Sequence, residues 1–511
     1  MMRTLNSLKN LVASIVVTAF CGGLATAQTP MTMQEIEAAW AQGRFDAVRS
    51  GLAELVKTDQ SARTAMRLGR VLVDGLGGPV DRENGLRWLQ YAADKDHLPA
   101  LTLIGRVFLS PGQDRDPVKA ADFFKNAATR GDAEAKYYLG LLFQDGVGVI
   151  QNDAEAFSWM RGASEGGYGP AMLALSRYYT DGRGTDPDLD KARDWLTEAA
   201  SAQVPEAQFA LANSYLTGPN ADPVSAVPLL QSAATRGHVP SQRALGTLYL
   251  TGAGDVSVQA EQAEQLLRAA AQAGDIAAIN NLGTAYLTGD VLTRDVATGV
   301  TLLERASDAG LARATFTLAQ VYDLGAGVPR DETRAIRLYR TADAQGSLPA
   351  KMHLAELVLS EAYPGGIAPH TAVPWIMTRM QNGGDDAAAD WLELQASNGV
   401  RPAQAALGAW YLKQGTQIDR AIELLEAAAI AGHVPSQFQL GPALTTGLAG
   451  KIDYVQAHSW LNIAATSGQG EAAQMRDAIT DLMTPEQIAE AQGMARTFFE
   501  NARRMPVPAK Q

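Results

Sequence analysis

The sequence predicts an all-α solenoid of about eleven two-helix repeats closed by helical caps, and three periodic features predict it. A Leu or Ile followed by a small residue recurs as Leu68-Gly69, Ile104-Gly105, Leu139-Gly140, Leu175-Ser176, Leu211-Ala212, Leu245-Gly246, Leu282-Gly283, Leu318-Ala319, Leu354-Ala355, Leu407-Gly408 and Leu440-Gly441. The steps run from 33 to 37 residues, apart from one of 53. A second ladder stands 19 residues after the small residue at Trp88, Trp159, Trp195 and Trp460, with Phe123, Leu229, Leu266, Leu302, Leu338, Trp391 and Leu424 in equivalent places. Alanine pairs such as Ala127-Ala128 and Ala233-Ala234, then a glycine such as Gly131, Gly237 or Gly432, end the unit. Self-similarity at this period marks supersecondary units that stack on one another.

The first helix of each unit carries apolar residues at helical spacing, as in Ala135, Leu139 and Leu142, and its small residue permits close approach of a neighbouring backbone. It stops at glycine-rich turns such as Asp145-Gly146-Val147-Gly148 and Asp181-Gly182-Arg183-Gly184. The second helix sets its Trp or Leu and its alanine pair on one face and ends at the closing glycine. Neither helix can bury its apolar face alone, so the units must pack in series. The units at 207–240 and 278–313 lack the Gly-x-Gly turn, which predicts shortened or reshaped loops there.

The expected organisation is a signal peptide over 1–27, N-terminal capping helices over 28–61, the solenoid over 62–471, capping helices over 472–503 and a flexible tail over 504–511. Trp40, Phe45, Val48, Leu52 and Leu55 fall at helical spacing in the first cap, and Thr484-Pro485-Glu486-Gln487 is a capping box that starts the last helix. The 53-residue step places extra chain at about 360–384, between the two helices of one unit, read as a loop plus one short helix. Insertions in solenoids map to loops and contact partners, which makes Trp375 and Met377 candidate surface residues; the competing reading is that they patch a kink in the stack.

Arg3 and Lys9, the apolar run Leu11 to Leu24 and the small-residue site Ala25-Thr26-Ala27 read as an export signal cleaved near Ala27. The expected product is periplasmic or secreted, without a transmembrane anchor. Cys21 invites comparison with a lipidated outer-membrane protein, but Phe20 stands where a small residue is needed. It is also the single cysteine of 511 residues, so disulfide frameworks and thiolate metal sites are excluded. Loss of Arg3 and Lys9 would take the net charge from -12 to -14, which argues against nucleic acid as a partner.

Asp145-Gly-Val-Gly followed by Ala156, Trp159, Ala163 and Gly166/Gly167 resembles the Sel-1-like repeat, a relative of the tetratricopeptide repeat, and the resemblance covers residues 62 to 471. It implies a right-handed α-α superhelix that places first helices on a concave wall, protein–protein scaffolding, and no intrinsic catalysis or cofactor. The two precedents it brings are scaffolds of exopolysaccharide secretion and periplasmic regulators that restrain a sensor kinase.

Motifs with chemical potential meet plainer readings. Gly162-Ala163-Ser164-Glu165-Gly166 has the nucleophile pattern but ends a helix, where the strained strand-to-helix turn it needs is missing. His97, His238 and His433 occupy equivalent turns, and His353, His370 and His458 show no ligand spacing. Asp186, Asp188 and Asp190 begin like a calcium loop, but Lys191 and Thr197 replace its glycine and glutamate, so an N-capping turn is expected. No catalytic, cofactor or metal residue is therefore assigned. Two residues after each ladder leucine, on the exposed side of the first helix, stand Arg70, Arg106 and Arg177. They form a candidate binding ladder for an acidic peptide or an anionic polysaccharide. The plain reading pairs Arg70 with Asp74 and Arg177 with Asp181 along the helix. The function expected is a non-enzymatic scaffold for envelope proteins in exopolysaccharide assembly or secretion. The alternatives are a periplasmic regulator of a sensor kinase and, in another class, an envelope glycan hydrolase working through a carboxylate pair.

Overall fold

Aspartate or asparagine stands at the start of most second helices, and the computed structural model shows why. Asp81, Asp116, Asn152, Asp188, Asp222, Asp295, Asp331, Asp385 and Asp453 each accept a backbone N–H from the first turn of the helix they precede. Each satisfies a donor that the helix itself leaves free. The structure describes residues 31–504 apart from 113–114, 218, 220, 364–366, 384 and 448–451. The expected signal segment, Cys21 and residues 505–511 lie outside the described residues.

The described residues form 27 helices, and the only β feature among them is one isolated bridge between Ala253 and Val256. The fold is an all-α superhelical repeat solenoid, in two contact-defined units. The first comprises Met1–Leu245 with Ala253–Val256. It holds α1 (Met33–Ala41), α2 (Phe45–Leu55), α3 (Ala62–Val73), α4 (Arg82–Ala93), α5 (Leu98–Leu109), α6 (Pro117–Thr129), α7 (Ala133–Asp145), α8 (Asp153–Glu165), α9 (Gly169–Asp181), α10 (Leu189–Ser201), α11 (Pro205–Leu216) and α12 (Pro223–Thr235). The second comprises Gly246–Gly252 and Ser257–Gln511, and the division falls within α13 (Val239–Thr251). It holds α14 (Ala260–Gln272), α15 (Ile276–Thr288), α16 (Val296–Asp308), α17 (Ala312–Leu324), α18 (Glu332–Ala344), α19 (Leu348–Leu359), α20 (Pro369–Gly383), α21 (Asp386–Ser397), α22 (Arg401–Gln414), α23 (Ile418–Ile430), α24 (Val434–Thr445), α25 (Tyr454–Thr466), α26 (Gly470–Thr480) and α27 (Pro485–Arg504).

Within a repeat, the first helix packs on the second through its small residue. A Cβ on Gly69 would lie 2.7 Å from Leu89, one on Gly105 2.7 Å from Phe124, and one on Gly441 2.5 Å from Leu461. These partners stand one residue after the ladder read from the sequence. Leu89, Phe124, Met160, Leu230, Leu267, Leu303, Tyr339, Leu392, Leu425 and Leu461 are essentially inaccessible, whereas Trp88, Trp159, Trp195 and Trp460 are half-buried at the flank of the same face. Tryptophan is seldom fully buried because of its size.

The loop between paired helices is held by one repeated backbone bond. The N–H of the capping residue donates to a carbonyl near the end of the first helix, as in Asp116 to Phe108 (2.8 Å) and Asp188 to Tyr179 (2.8 Å). The two units without Gly-x-Gly keep it, with Asp222 donating to Tyr215 (2.7 Å) and Asp295 to Tyr286 (3.0 Å). At Gly77, Gly148, Gly184 and Gly327 the second glycine fits a space too small for a side chain: a Cβ on Gly184 would come within 2.1 Å of the Asp153 carbonyl oxygen. The turn thus rests on the N-terminus of the preceding repeat's second helix.

The extra segment differs from the expected short helix. α20 has 15 residues and packs on α19, α21 and α22, so it works as an additional full helix of the stack. Its interior Pro374 is exposed. At the two ends, capping boxes form as Thr32 with Glu35 and Thr484 with Gln487.

Candidate interaction surface

The three arginines of the expected ladder all lie in the first unit, on α3, α5 and α9, and their surroundings differ. Arg70 pairs with Asp74 at 3.5 Å, as the plain reading predicts, and its guanidinium lies 5.6 Å from the Trp40 ring. With Ile36, Trp40, Leu52 and Met66 it lines a cavity of about 470 Å³ beside the first cap. Arg106 reaches across to Glu134 on α7 at 3.5 Å and stands 5.8 Å from the Tyr138 ring. Arg177 is exposed and has no ion pair among the described residues, so the expected bond to Asp181 is absent.

Between Arg106 and Arg177 sits a cluster of tyrosines. Tyr138 stacks on Phe124 at 5.1 Å, Tyr137 meets Tyr138 edge-on at 5.5 Å, and Tyr137 packs against Tyr168 at 5.2 Å. Burial raises the pKa of all three phenols and of Glu134. Arg106 and then Arg70 oppose the shift at Glu134 by charge, and Arg177 opposes it at Tyr137. Arg106 and Arg177 thus act by charge on neighbouring groups of this half-buried cluster, and Glu206 adds to the shift at Tyr137. The carboxylate that adds to the Glu134 shift is Asp132, which already caps α7 through the Ala135 N–H at 2.7 Å.

Trp375 and Met377 belong to the second unit. Trp375 is 4% exposed, donates its indole N–H to Asp343 at 2.7 Å and stacks near Tyr363 at 6.2 Å. It is committed to the core of the stack and offers no partner surface, which corrects the expectation for this residue. Met377 is half-buried against the same core. Large apolar residues at the insertion fill the room opened by the additional helix.

The other motifs resolve locally. Ser164 is buried and its hydroxyl donates back to the Met160 carbonyl at 2.8 Å, so it is spent within α8. Asp188 caps α10. Among the described residues, no three His, Cys, Asp or Glu side chains gather as a metal site, and no helix is long and apolar enough to cross a membrane.

Two recurring devices escaped the sequence reading. Gln208, Gln242, Gln404 and Gln437, each three residues before a ladder leucine, donate to a carbonyl eight residues back and so tie a first helix to the preceding second helix. Tyrosine, a carboxylate and an arginine also meet repeatedly, as Tyr286 with Glu264 and Arg268 and as Tyr411 with Glu393 and Arg420. The common register of the glutamines was legible; the arginines and carboxylates come from varying positions and were not.

Compared with known proteins, the chain matches the Sel1 repeat model at 62–97, 99–132, 133–168, 169–204, 205–238, 239–275, 276–311, 312–347, 401–433 and 434–469. The chain belongs to the Sel1 repeat family. Ten Sel1 repeats are matched, and the unmatched stretch between 347 and 401 is the one that contains α20. Sel1 repeats build protein-interaction scaffolds, which sets the coarse functional class of this chain. It is 29% identical over 197 residues to an uncharacterized protein of Neisseria meningitidis serogroup B (strain ATCC BAA-335 / MC58), covering 38% of this chain but 37% of that protein, and so spans little over a third of that relative's length. It is 30% identical over 202 residues to the exopolysaccharide production negative regulator of Rhizobium meliloti (strain 1021), covering 35% of this chain and 71% of that one. Among solved structures, a protective antigen present in uropathogenic Escherichia coli strains, with an SLR fold, is similar over 94% of this chain and 98% of its own at 23% identity and a TM-score of 0.54. A Sel1 repeat protein from Oxalobacter formigenes is similar over 47% of this chain and 100% of its own, at 25% identity and a TM-score of 0.41.

Proposed function

We propose that this Sel1 repeat protein is an exported, non-enzymatic scaffold that holds a protein partner of the cell envelope and thereby governs exopolysaccharide production. The observation that carries the reading is the tyrosine–arginine surface of the first unit, where three half-buried tyrosines pack ring to ring beside Arg106. Tyr and Arg are the residue types that dominate binding at protein interfaces. The apolar run Leu11 to Leu24 and the Ala25-Thr26-Ala27 site support export, and the likeness to the rhizobial negative regulator supports the pathway.

The negative-regulator name of that same relative favours a second reading within the class, a regulator that restrains exopolysaccharide production, which we propose would act in the periplasm on a sensor kinase. Deleting the chain from its host separates the two: exopolysaccharide yield falls if the protein is an assembly scaffold and rises if it restrains production. In-cell crosslinking of the full chain, read by mass spectrometry, should yield one dominant envelope partner, and N-terminal sequencing of the exported product should begin at Gln28. Unchanged yield together with no recurrent crosslinked protein would overturn the proposal. A hydrolase reading finds little support in the burial-raised Glu134, whose carboxyl is engaged by Arg106 and whose charged neighbour Asp132 is a helix cap.

A further inference from the structure

We infer that the surface on α5, α7, α8–α9 and their turns recognises an extended polypeptide segment bearing carboxylates, held by Arg106 and Arg177 and by the hydroxyls of Tyr137, Tyr138 and Tyr168. The inference rests on the scaffold reading and narrows it to one surface and one partner chemistry. It starts from a contrast among tyrosines. The hydroxyls of Tyr178, Tyr286, Tyr339 and Tyr411 are bound to Gln144, Glu264, Asp323 and Glu393, at 3.0, 2.6, 3.2 and 3.0 Å. Those four tyrosines are buried, whereas Tyr137, Tyr138 and Tyr168 are half-buried and their hydroxyls have no protein partner among the described residues. Three ordered O–H donors, packed ring to ring, are therefore presented together on one surface.

Charge points the same way. In a chain of net charge -12, this surface is flanked by an arginine without an ion pair and by another whose pair is long, at 3.5 Å. A guanidinium that is weakly engaged and beside aromatic rings is suited to take a carboxylate in two parallel hydrogen bonds. The occupant must match donors on both sides of Glu134, which disfavours a uniformly anionic polymer and favours a peptide whose carboxylates alternate with neutral residues. The ring faces are also taken up, since Tyr138 stacks on Phe124 and Tyr137 packs against both Tyr138 and Tyr168. Sugar rings would need those faces, whereas carboxylates and peptide carbonyls need the hydroxyl edges.

The test uses the full chain and an immobilised library of octapeptides carrying zero to four Asp or Glu residues, with a uronate oligosaccharide as the competing polyanion. Binding should increase with carboxylate number, weaken with salt, and fall about tenfold or more in an R106A/R177A double variant. The hydroxyl-deleting triple variant Tyr137→Phe, Tyr138→Phe, Tyr168→Phe should bind several-fold more weakly while its helical circular dichroism and urea midpoint stay near wild type. Binding that ignores carboxylate number, equal binding by the double variant, or retention of the uronate oligosaccharide in place of peptides would overturn the inference. An envelope protein crosslinked elsewhere on the chain would sink this surface and leave the scaffold reading intact.

Discussion

At the scale of single residues, glycine does two separate things in this chain. Gly237 and Gly184 both have positive φ, at 81° and 65°. Around Gly237 an added Cβ meets nothing within 4 Å, so only backbone strain opposes a side chain, costing about 1–2 kcal/mol. At Gly184 the same Cβ would overlap the backbone at Asp153, and overpacking adds about 1–3 kcal/mol to that strain. Gly184→Ala should therefore lower the urea midpoint of the first unit clearly more than Gly237→Ala; equal shifts would show that φ alone matters. The buried glutamines give the opposite expectation. Gln437 donates to the Ala429 carbonyl at 3.0 Å, but its own carbonyl oxygen is buried without a partner, and Ala429 also accepts from the Gly432 N–H. Gln437→Met removes an unsatisfied acceptor along with a bond that its partner can spare, so stability should change by less than about 1 kcal/mol, or rise. A loss of several kcal/mol would show the tie to be essential.

At the scale of helices, the buried face of each second helix decides how tightly a repeat closes. Leu267 is inaccessible and meets Gly246, where a Cβ would lie 2.8 Å from it, while Leu266 is half-buried. Leu267→Ala should cost about 2–5 kcal/mol and Leu266→Ala under about 1.5 kcal/mol, read as urea midpoints of the two variants. The reverse order would restore the ladder as first read. The period, the helix pairing and the close approach at the small residue were legible, because they repeat at a fixed spacing. The register of the second helix was not, since a 100° step cannot choose between adjacent residues and the four tryptophans drew the choice to the flank. The binding surface was half legible: Arg106 and Arg177 follow from register, but Tyr137, Tyr138 and Tyr168 gain their meaning from hydroxyls left free, which only three-dimensional packing reveals. Trp375 read as surface because it sits in an insertion, yet α20 turned the insertion into more core.

At the scale of the whole molecule, stability is a sum over similar seams, so a small effect repeated at several of them becomes measurable. His97 and His433 stand at the N-cap positions of α5 and α24, where only the His433 side chain accepts a backbone N–H, and His238 stands just before α13. Burial lowers the pKa of all three. Arg63 and Arg401 add to the effect at His97 and His433, and Glu206 opposes it at His238. Protonation would also place a cation at a helix N-terminus and remove the Nδ1 acceptor that His433 offers to the Ser436 N–H at 3.3 Å. The unfolded chain takes up these protons near the ordinary value of 6.5 while the folded chain resists, so stability is full above that pH and declines as pH falls below it. Glu134 and Glu426, whose pKa values burial raises, bind protons better when folded and push the other way, starting above the ordinary 4.5. The capping aspartates with lowered values, such as Asp81, Asp116 and Asp188, lose their contribution only on the acid side of the ordinary 3.8. Between pH 7 and pH 5 the histidine contribution should therefore dominate, and the melting temperature of the wild type should fall. The triple variant His97→Asn, His238→Asn, His433→Asn puts a side chain that does not titrate, and that is favoured at helix N-caps, at all three positions. Its melting temperature should fall less steeply over that range, with the remaining slope coming from buried His458, whose pKa is also lowered. Equal slopes in the two proteins would mean that the seams carry no proton-linked stability, and the acid sensitivity of the stack would have to be sought in its carboxylates.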